Sequence, residues 1–332
     1  MDIGFRIPGT PKRINCTNYF ITKFKEIDPN ITYILHNFTI HSIECQNVLF
    51  KINQNLSNIV ILGAHYDSRA KATKDPNPSN RSDPVPGAND GASGSAVLIE
   101  LAKVLYQSKE NLSCQLWFLF FDAEDQGVDS GGAGITGWDW CEGSKKFVSD
   151  IDNFYDNETE NFELMLLLDM VGGRNLKFIN ELYSTSSLLE ELFAVGRSLG
   201  YTKQFPSNPE SNRIIDDHRA FVNIGIPSAD LIINFWDNSK WPFHHTISDN
   251  ITNVRSDSLQ VTGRTIEQFI FNNYLNNSNY QYDGNYPWRE DINRYNIQMT
   301  MVLLIIVIIV ALAILILNTI KYKPIENNFK LK

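Results

Sequence analysis

The chain has 332 residues, of which 43% are hydrophobic, and it carries a net charge of −9. This length and composition suffice for a large buried core and exclude a disordered or fibrous protein. Because phosphate binding needs clustered Lys and Arg side chains, the acidic balance argues against a nucleic-acid partner. The four cysteines show no C-x-x-C spacing, which argues against a thiolate zinc site. Cys16 and Cys45 would be able to form a disulfide if the domain lies outside the cytoplasm.

Apolar runs and amphipathic patterns alternate along the chain. Runs that are apolar at nearly every position are typical of strands covered on both faces. The predicted strands are residues 47–52, 58–65, 114–122, 163–170 and 229–234, and the predicted helices are residues 92–106, 187–199 and 257–273. Strands that alternate with helices predict a three-layer α/β/α sandwich with a mixed, mainly parallel central sheet, formed by residues 1–275.

The segment after residue 275 has the clearest compositional signal. Residues 299–317 are apolar except for Thr300 and are long enough to cross a bilayer, so we predict a transmembrane helix over residues 298–320. Residues 276–297 read as a juxtamembrane linker, and residues 321–332 form a tail rich in lysine. The positive-inside rule places such a tail in the cytoplasm, which predicts a single-pass membrane protein with its large domain on the extracytoplasmic side.

The start of the chain, MDIGFRIPGTPKR, contains no apolar segment that would serve as a secretion signal. Two explanations remain open. Either the anchor inserts from its own end and leaves the large domain inside the cell, or the natural chain begins further upstream. The second explanation is favoured.

Acidic and histidine side chains follow the predicted strands. The stretch FLFFDAEDQG leads from an apolar strand directly into three acids. The residues of this kind at strand ends or in the glycine-rich turn PGANDGASG are His65, Asp67, Asp90, Asp122, Glu124, Asp125, Asp169, His244 and His245. Carboxyl ends of strands in such sheets gather at one edge, where a cluster of carboxylates and imidazoles is costly without a dication. These donors suit zinc in an open catalytic site, whereas their spacing fits neither an EF-hand nor a phosphate loop.

Six segments, in chain order, resemble the superfamily of zinc aminopeptidases (metallopeptidase family 28) and the related glutaminyl cyclases. They are GAHYDSR, PGANDGASG, FFDAED, LLLDMVGG, DDHRAF and HHT. The resemblance covers nearly all of residues 4–271, and it implies a zinc exopeptidase-like fold and a zinc enzyme that acts on the N-termini of peptides or proteins. GFRIPGT resembles a segment near the start of this domain that usually follows further residues. Related folds also serve as receptor ectodomains without metal ligands, but here every ligand position is filled.

The aminopeptidase pattern implies a set of ligands for two zinc ions. They are His65, Asp90, Asp125, Asp169 and His245, with Asp90 bridging. The same pattern implies that Glu124 is the general base and that Asp67 orients His65. It also implies a cis peptide bond between Asp90 and Gly91. Asp125 departs from the Glu that is common at its position in aminopeptidases.

Three features resemble the cyclase branch, namely AED, WDWCEGS and the doubled acid in DDH. In that branch Asp169 hydrogen-bonds with its neighbours and Asp216 shares a proton with it, so that Glu124, Asp169 and Asp216 are the catalytic residues. One zinc is then held by Asp90, Asp125 and His245. Cyclases commonly have Trp before the ligand histidine, where this chain has His244, which favours the aminopeptidase. We prefer the cyclase, and we expect Trp138, Trp140, Phe235 and Trp241 to line the substrate pocket.

Overall fold

A mixed β-sheet lies at the centre of the protein, whose computed structural model describes residues 3–128, 134–236 and 241–276. The strands are β1 (Thr32–Ile40), β2 (Ile43–Ile52), β3 (Asn58–His65), β4 (Gln115–Phe121), β5 (Asn161–Leu168), β6 (Asn180–Glu181), β7 (Ser211–Asn212) and β8 (Ser228–Leu231). The central sheet has the order β1-β2-β4-β3-β5-β8, and β6 pairs separately with β7. Strands β1, β2 and β4 pair antiparallel and the other central pairs are parallel. The predicted α/β fold with a mixed, mainly parallel sheet is confirmed.

Helices cover both faces of this sheet. They are α1 (Pro11–Ile27), α2 (Ala92–Gln107), α3 (Glu142–Ser149), α4 (Ser186–Ser198), α5 (His218–Asn223) and α6 (Ser256–Tyr274). In β4, Phe118 and Phe120 pack into a core that includes residues of α1, α2, α4 and α6, while Trp117 and Phe121 pack into a second core that includes residues of α3 and α5. Because neighbouring residues of a strand point to opposite faces, every residue of β4 is buried, which explains its continuous apolar run.

Close packing of α2 on the sheet requires glycine at position 94. A Cβ atom there would lie 2.0 Å from the carbonyl oxygen of Leu168, the last residue of β5. The first turns of α2 therefore lie against the end of β5. This contact brings the turn that contains Asp90 to the edge of the sheet where Asp169 follows β5.

The four cysteines are buried and carry free thiols. A disulfide between Cys16 and Cys45, which the sequence allowed, is therefore not formed in this structure.

The predicted linker from residue 277 onward, the transmembrane helix over residues 298–320 and the tail over residues 321–332 all lie outside the described residues. Within the described part of the chain, no helix is both long and apolar enough to cross a membrane.

Candidate active site

The carboxyl ends of β3, β4 and β5 meet at one edge of the sheet because these strands are parallel neighbours. His65 is the last residue of β3 and pairs with Phe121, the last residue of β4. Glu124 and Asp125 follow a few residues after β4, and Asp169 follows β5 directly. The acids and histidines that the sequence placed at strand ends are therefore brought together.

His65 lies among three carboxylates. Its Nε2 atom is 3.1 Å from Oδ1 of Asp90 and 3.2 Å from Oδ1 of Asp169, and its Nδ1 atom is 3.3 Å from Oδ1 of Asp67. Burial lowers the pKa of His65, but hydrogen bonds with Asp169, Asp67 and Asp90 outweigh this effect and leave the pKa well above its ordinary value. Asp169 thus has a hydrogen-bond partner within the chain. Asp67 lies within hydrogen-bond reach of the imidazole that it is predicted to orient, and it also accepts a hydrogen bond from Nε2 of Gln126 at 2.8 Å.

His245 lies near the other oxygen of Asp90. Its Nε2 atom is 2.9 Å from Oδ1 of Asp125 and 3.7 Å from Oδ2 of Asp90. The two oxygens of Asp90 therefore face two different imidazoles, which is the arrangement expected of a carboxylate between two cation sites. Burial, followed by the positive charge of Arg69, holds the pKa of His245 well below its ordinary value. The imidazole is therefore neutral, the form that binds a metal ion.

Two buried carboxylate oxygens without a partner in the described part of the chain make the space near Asp90, Asp125 and His245 a candidate cation site. Oδ2 of Asp90 and Oδ2 of Asp125 are buried, and neither has a hydrogen-bond partner among the described residues. Burial raises the pKa of Asp125 to about 6. An unsatisfied buried polar group costs about 1–3 kcal/mol, more for a charged one, and a dication would remove this cost. Two carboxylates and one neutral imidazole are a ligand set that suits zinc in a catalytic site.

The choice of His245 over His244 as the ligand has a geometric basis. Nε2 of His244 is 3.9 Å from Oδ2 of Asp90, and its Nδ1 atom accepts a hydrogen bond from Nζ of Lys74 at 3.0 Å. His244 is thus engaged with Lys74, whereas Nε2 of His245 points to both Asp90 and Asp125. The donor atoms of Asp90, His244 and His245 nevertheless lie within 4.8 Å of one another.

Glu124 lines a cavity beside the metal-binding residues and is 8% exposed. Its pKa lies well above the ordinary value, mainly because of burial. The preceding residue, Ala123, has a left-handed backbone with φ of 59°, which turns the chain after β4. A carboxyl group with a raised pKa at the edge of a cavity is suited to accept a proton and return it.

Two further buried carboxyl groups lie near Asp169, namely those of Asp216 and Asp230. Burial, followed by the negative charge of Asp169, raises the pKa of Asp216 to about 7. Burial, followed by the negative charges of Asp216 and Asp169, raises the pKa of Asp230 well above its ordinary value. Neighbouring buried carboxyl groups cannot all ionise without a large cost, so a proton on Asp216 or Asp230 is favoured. Asp216 is therefore placed where it could hold a proton close to Asp169, as the cyclase pattern implied.

A cavity of about 340 Å³ opens beside the acids. Of the predicted aromatic residues, Trp140 and Phe235 line it, and the ring of Trp140 stacks on His245 at 5.8 Å. The predictions for Trp138 and Trp241 were wrong. Trp138 packs in a small apolar cluster with Phe38, and Trp241 is 1% exposed in the main core. Large aromatic side chains bury most of their surface in cores, and the sequence does not separate the two environments.

Several cavity and supporting residues were not predicted. The cavity is also lined by Lys74, Asn212, Arg213, Ile215 and Trp236, which the sequence did not single out, and by His244, which belongs to the predicted cluster. Arg69 donates from Nη1 to the carbonyl oxygen of Asp125 at 2.8 Å, and its guanidinium lies 4.8 Å from the centre of the Trp140 ring. Asp249 accepts the backbone N–H of Asn89 at 2.8 Å and that of Asp90 at 3.0 Å. Arg69 is the last residue of the segment GAHYDSR, whereas Asp249 has no signal in the sequence other than its position four residues after His245.

The predicted cis peptide bond after Asp90 was wrong, since no peptide bond among the described residues is cis. The turn is made instead by Gly91, whose φ is +95°. A side chain at position 91 would be strained in this conformation, and its Cβ would lie 2.7 Å from the carbonyl oxygen of Asp67.

A mixed α/β sheet with helices on both faces and an acid and imidazole cluster at its carboxyl edge defines an enzyme of the zinc exopeptidase class. The chain belongs to peptidase family M28, whose family model matches residues 47–270. The prediction of an enzyme from this superfamily is confirmed, in preference to a receptor ectodomain.

Similar proteins include both kinds of enzyme that the sequence resembled. Aminopeptidase YwaD of Bacillus subtilis (strain 168) is 26% identical over 68% of this chain, which spans 44% of that relative's length. The glutaminyl cyclase of Bacteroides thetaiotaomicron, solved with N-acetylhistamine, is 29% identical over 82% of this chain and 93% of its own, with a TM-score of 0.72. A Zn-dependent exopeptidase from Parabacteroides distasonis is 30% identical over 81% of this chain and 93% of its own, also with a TM-score of 0.72. These similarities support zinc as the metal and leave open how many ions the site holds.

Proposed function

We propose that this protein is a zinc-dependent glutaminyl-peptide cyclotransferase, which converts the N-terminal Gln of peptides to pyroglutamate and releases ammonia. The observation that carries the proposal is a difference in pairing between two parts of the cluster, one around His65 and one around His245. Both ring nitrogens of His65 face carboxylates, including that of Asp169. Among the described residues, Asp90 and Asp125 each retain a buried oxygen without a partner, next to His245. One zinc ion held by Asp90, Asp125 and His245 matches this division.

The neighbourhood of Asp169 also favours the cyclase. Asp169 lies close to two buried carboxyl groups, those of Asp216 and Asp230, because its negative charge raises the pKa of both. These groups form a network that shares protons, which suits Asp169 to proton transfer and withdraws it from a second metal ion.

The proposed reaction forms a bond between the α-amino nitrogen of the substrate and the side-chain amide carbon of the same Gln residue, and it breaks the bond from that carbon to the amide nitrogen. Asp90, Asp125 and His245 would hold the zinc ion, which would supply a Lewis acid for the amide carbonyl oxygen. Glu124 takes the proton that the α-amine loses and gives it to the departing ammonia. Asp169 and Asp216 hold the reacting nitrogen and the proton network. Trp140 and Phe235 line the space that the Gln side chain would occupy.

The second candidate function is that of a two-zinc aminopeptidase. It is favoured by the position of Asp90 between His65 and His245, and by the donor atoms of His65, Asp90 and Asp169, which lie within 4.8 Å of one another. In this reaction Glu124 would deprotonate the attacking water, and the products would be a free amino acid and a shortened peptide.

Mass spectrometry on two matched peptides, one beginning with Gln and one with Leu, separates the two functions. The cyclase removes ammonia from the Gln peptide and leaves the Leu peptide intact. Glu124→Gln should lower this activity by about 10²–10⁴-fold, which shows that it comes from this site. Release of free Leu or Gln faster than cyclisation would overturn the cyclase in favour of the aminopeptidase.

We further propose that residues 298–320 anchor the enzyme in a membrane, with the catalytic domain on the extracytoplasmic side. The support is the apolar run at 299–317 and the lysine-rich tail that follows it. Protease added to intact cells that express the full-length gene should digest the domain. Complete protection, in cells where a control ectodomain is digested, would contradict this orientation.

A further inference from the structure

The carboxylate of Glu124 has one side-chain hydrogen-bond donor among the described residues, the thiol of Cys141. Sγ of Cys141 donates to Oε1 of Glu124 at 3.3 Å, and both side chains are buried. No described residue donates to Oε2 of Glu124. Glu124 lines the active-site cavity, so Oε2 is the oxygen left to act on a substrate there.

The backbone fixes this contact from both sides. The N–H of Cys141 donates to the carbonyl oxygen of Glu124 at 3.0 Å, and the N–H of Glu142 donates to the carbonyl oxygen of Ala123 at 3.0 Å. The segment that carries the thiol is thus bonded to the segment that carries the base. Cys141 has a left-handed backbone with φ of 57°, directly before α3, which is an uncommon conformation for a residue with a side chain.

Glycine at position 143 keeps these two segments close. A Cβ atom there would lie 1.9 Å from the carbonyl oxygen of Asp122. The packing of α3 against the end of β4 therefore depends on a residue without a side chain, and it sets the distance between Sγ and Oε1.

The thiol is protonated in this environment and therefore acts as a donor. Burial, followed by the negative charge of Glu124, raises the pKa of Cys141 well above its ordinary value. A carboxylate on a Glu side chain has three rotatable bonds, and a single fixed donor to one oxygen restricts where the other oxygen points.

We propose that Cys141 is a positioning residue for the general base: its thiol holds Oε1 of Glu124 so that Oε2 faces the substrate. The inference rests on the proposed function only in that Glu124 acts as the base, and it holds for the cyclase and for the aminopeptidase.

Three variants of the full-length protein separate the loss of the donor from the loss of a buried cysteine. Cys141→Val fills the volume and removes the donor, and Cys141→Ser keeps a donor. Cys114→Val is the matched control, because Cys114 is buried in the core away from the cavity.

We expect Cys141→Val to lower kcat by about tenfold, with KM and zinc content close to those of the wild type. Cys141→Ser should recover most of this loss, and Cys114→Val should keep the wild-type kcat. Wild-type kcat in Cys141→Val, or equal losses in the Val and Ser variants, would overturn the inference.

The infrared S–H stretching band tests the contact without a measurement of activity. The band of Cys141 is assigned by its loss in Cys141→Val, and removal of the acceptor in Glu124→Ala should move it to higher frequency, toward that of a thiol without a hydrogen bond. A band that does not move would overturn the inference. If the wild-type enzyme shows neither cyclisation nor hydrolysis, the proposed function fails, whereas the band still decides whether Cys141 holds Glu124.

Discussion

Oδ1 of Asp67 accepts the backbone N–H of Glu124 at 3.0 Å, which ties the segment after β3 to the segment that carries the proposed general base. The other oxygen, Oδ2, accepts the backbone N–H of Asp125 at 3.2 Å. Asp67 also faces Nδ1 of His65. The sequence suggested that Asp67 orients His65, and the structure adds that the same carboxylate holds the backbone of the base and of a predicted zinc ligand.

Asp67→Asn should therefore weaken the site without unfolding the protein. The Asn side chain would keep the volume of Asp67. Its amide N–H groups, however, would face the backbone N–H groups that the Asp67 carboxylate accepts in the wild type. We expect a loss of about 10–100-fold in zinc affinity, measured by competition with a chelator, and a comparable loss in kcat. Asp156→Asn, the same change in a surface turn, is the control. Equal zinc affinity in Asp67→Asn and the wild type would contradict this role.

Zinc stoichiometry in single variants tests the ligand assignment. Asp90→Asn and His245→Ala should each lose bound zinc and activity together, because each removes a ligand. His41→Ala, which changes an exposed histidine bonded to Gly137, should keep both. His65→Ala distinguishes the two reactions: it should keep one zinc ion in a cyclase, whereas an aminopeptidase should fall from two ions to one. Full metal content in His245→Ala would refute the assignment.

The sequence predicted helices and strands well where burial makes the pattern of apolar residues periodic or continuous. β3 and β4 are covered on both faces, so their uninterrupted apolar runs predicted their positions within a residue or two. β1 and α1 were missed. β1 is an edge strand whose residues are mostly exposed or half-buried, and α1 buries few apolar residues, so neither has a strong pattern.

In the candidate site, too, some features were predictable from the sequence and others were not. Residues at strand ends converge because the fold is regular, which the sequence could indicate. The contacts of Cys141 with Glu124 and of Asp249 with the Asp90 turn join segments that are 17 and about 160 residues apart. WDWCEGS contains Cys141 but does not indicate a contact with Glu124, and Asp249 lies in no segment that the sequence singled out, so only the folded chain reveals these contacts.

Gly94→Ala should destabilise the protein and weaken zinc binding, because the added Cβ would lie 2.0 Å from the carbonyl oxygen of Leu168 and would push α2 away from β5. Overpacking of this kind costs about 1–3 kcal/mol, measurable by urea unfolding. Gly263→Ala is a matched control in α6, where the nearest atom to an added Cβ is 3.8 Å away. That variant should be stabilised by about 0.5–1 kcal/mol, because Ala is favoured over Gly within a helix. Equal effects of the two changes would show that the approach of α2 to β5 is not tight.

His36 should make stability depend on pH. Burial lowers its pKa, although the hydrogen bond to Asp150 at 3.0 Å opposes the shift, and its Nδ1 atom faces the amide nitrogen of Asn47 at 3.1 Å. The neutral form is therefore favoured in the folded state. The stability that it contributes is present above the ordinary pKa of about 6.5 and is lost as the pH falls through the lower folded-state pKa.

The measurement is the difference in free energy of unfolding between the wild type and His36→Phe. This difference should shift against the wild type as the pH falls from about 7.5 to about 5. A shift in favour of the wild type would mean that Asp150 stabilises the charged imidazole more than burial opposes it.

Asp216→Ser tests whether the network of carboxyl groups takes part in the reaction. In a cyclase, Asp216 holds a proton beside Asp169, and its loss should lower the rate of pyroglutamate formation by about 10–100-fold, while Asp90, Asp125 and His245 still hold their zinc. Asp216→Asn keeps the shape but cannot exchange a proton as a carboxyl group does, so it should be impaired as well. An aminopeptidase should tolerate Ser at position 216, because Ser is common at this position in the aminopeptidases that the sequence resembles.

The rates of ammonia release and of free amino acid release are measured on the same Gln and Leu peptides, with zinc content determined for each variant. Wild-type cyclisation in Asp216→Ser would show that the network is dispensable and would remove one of the two structural arguments for the cyclase.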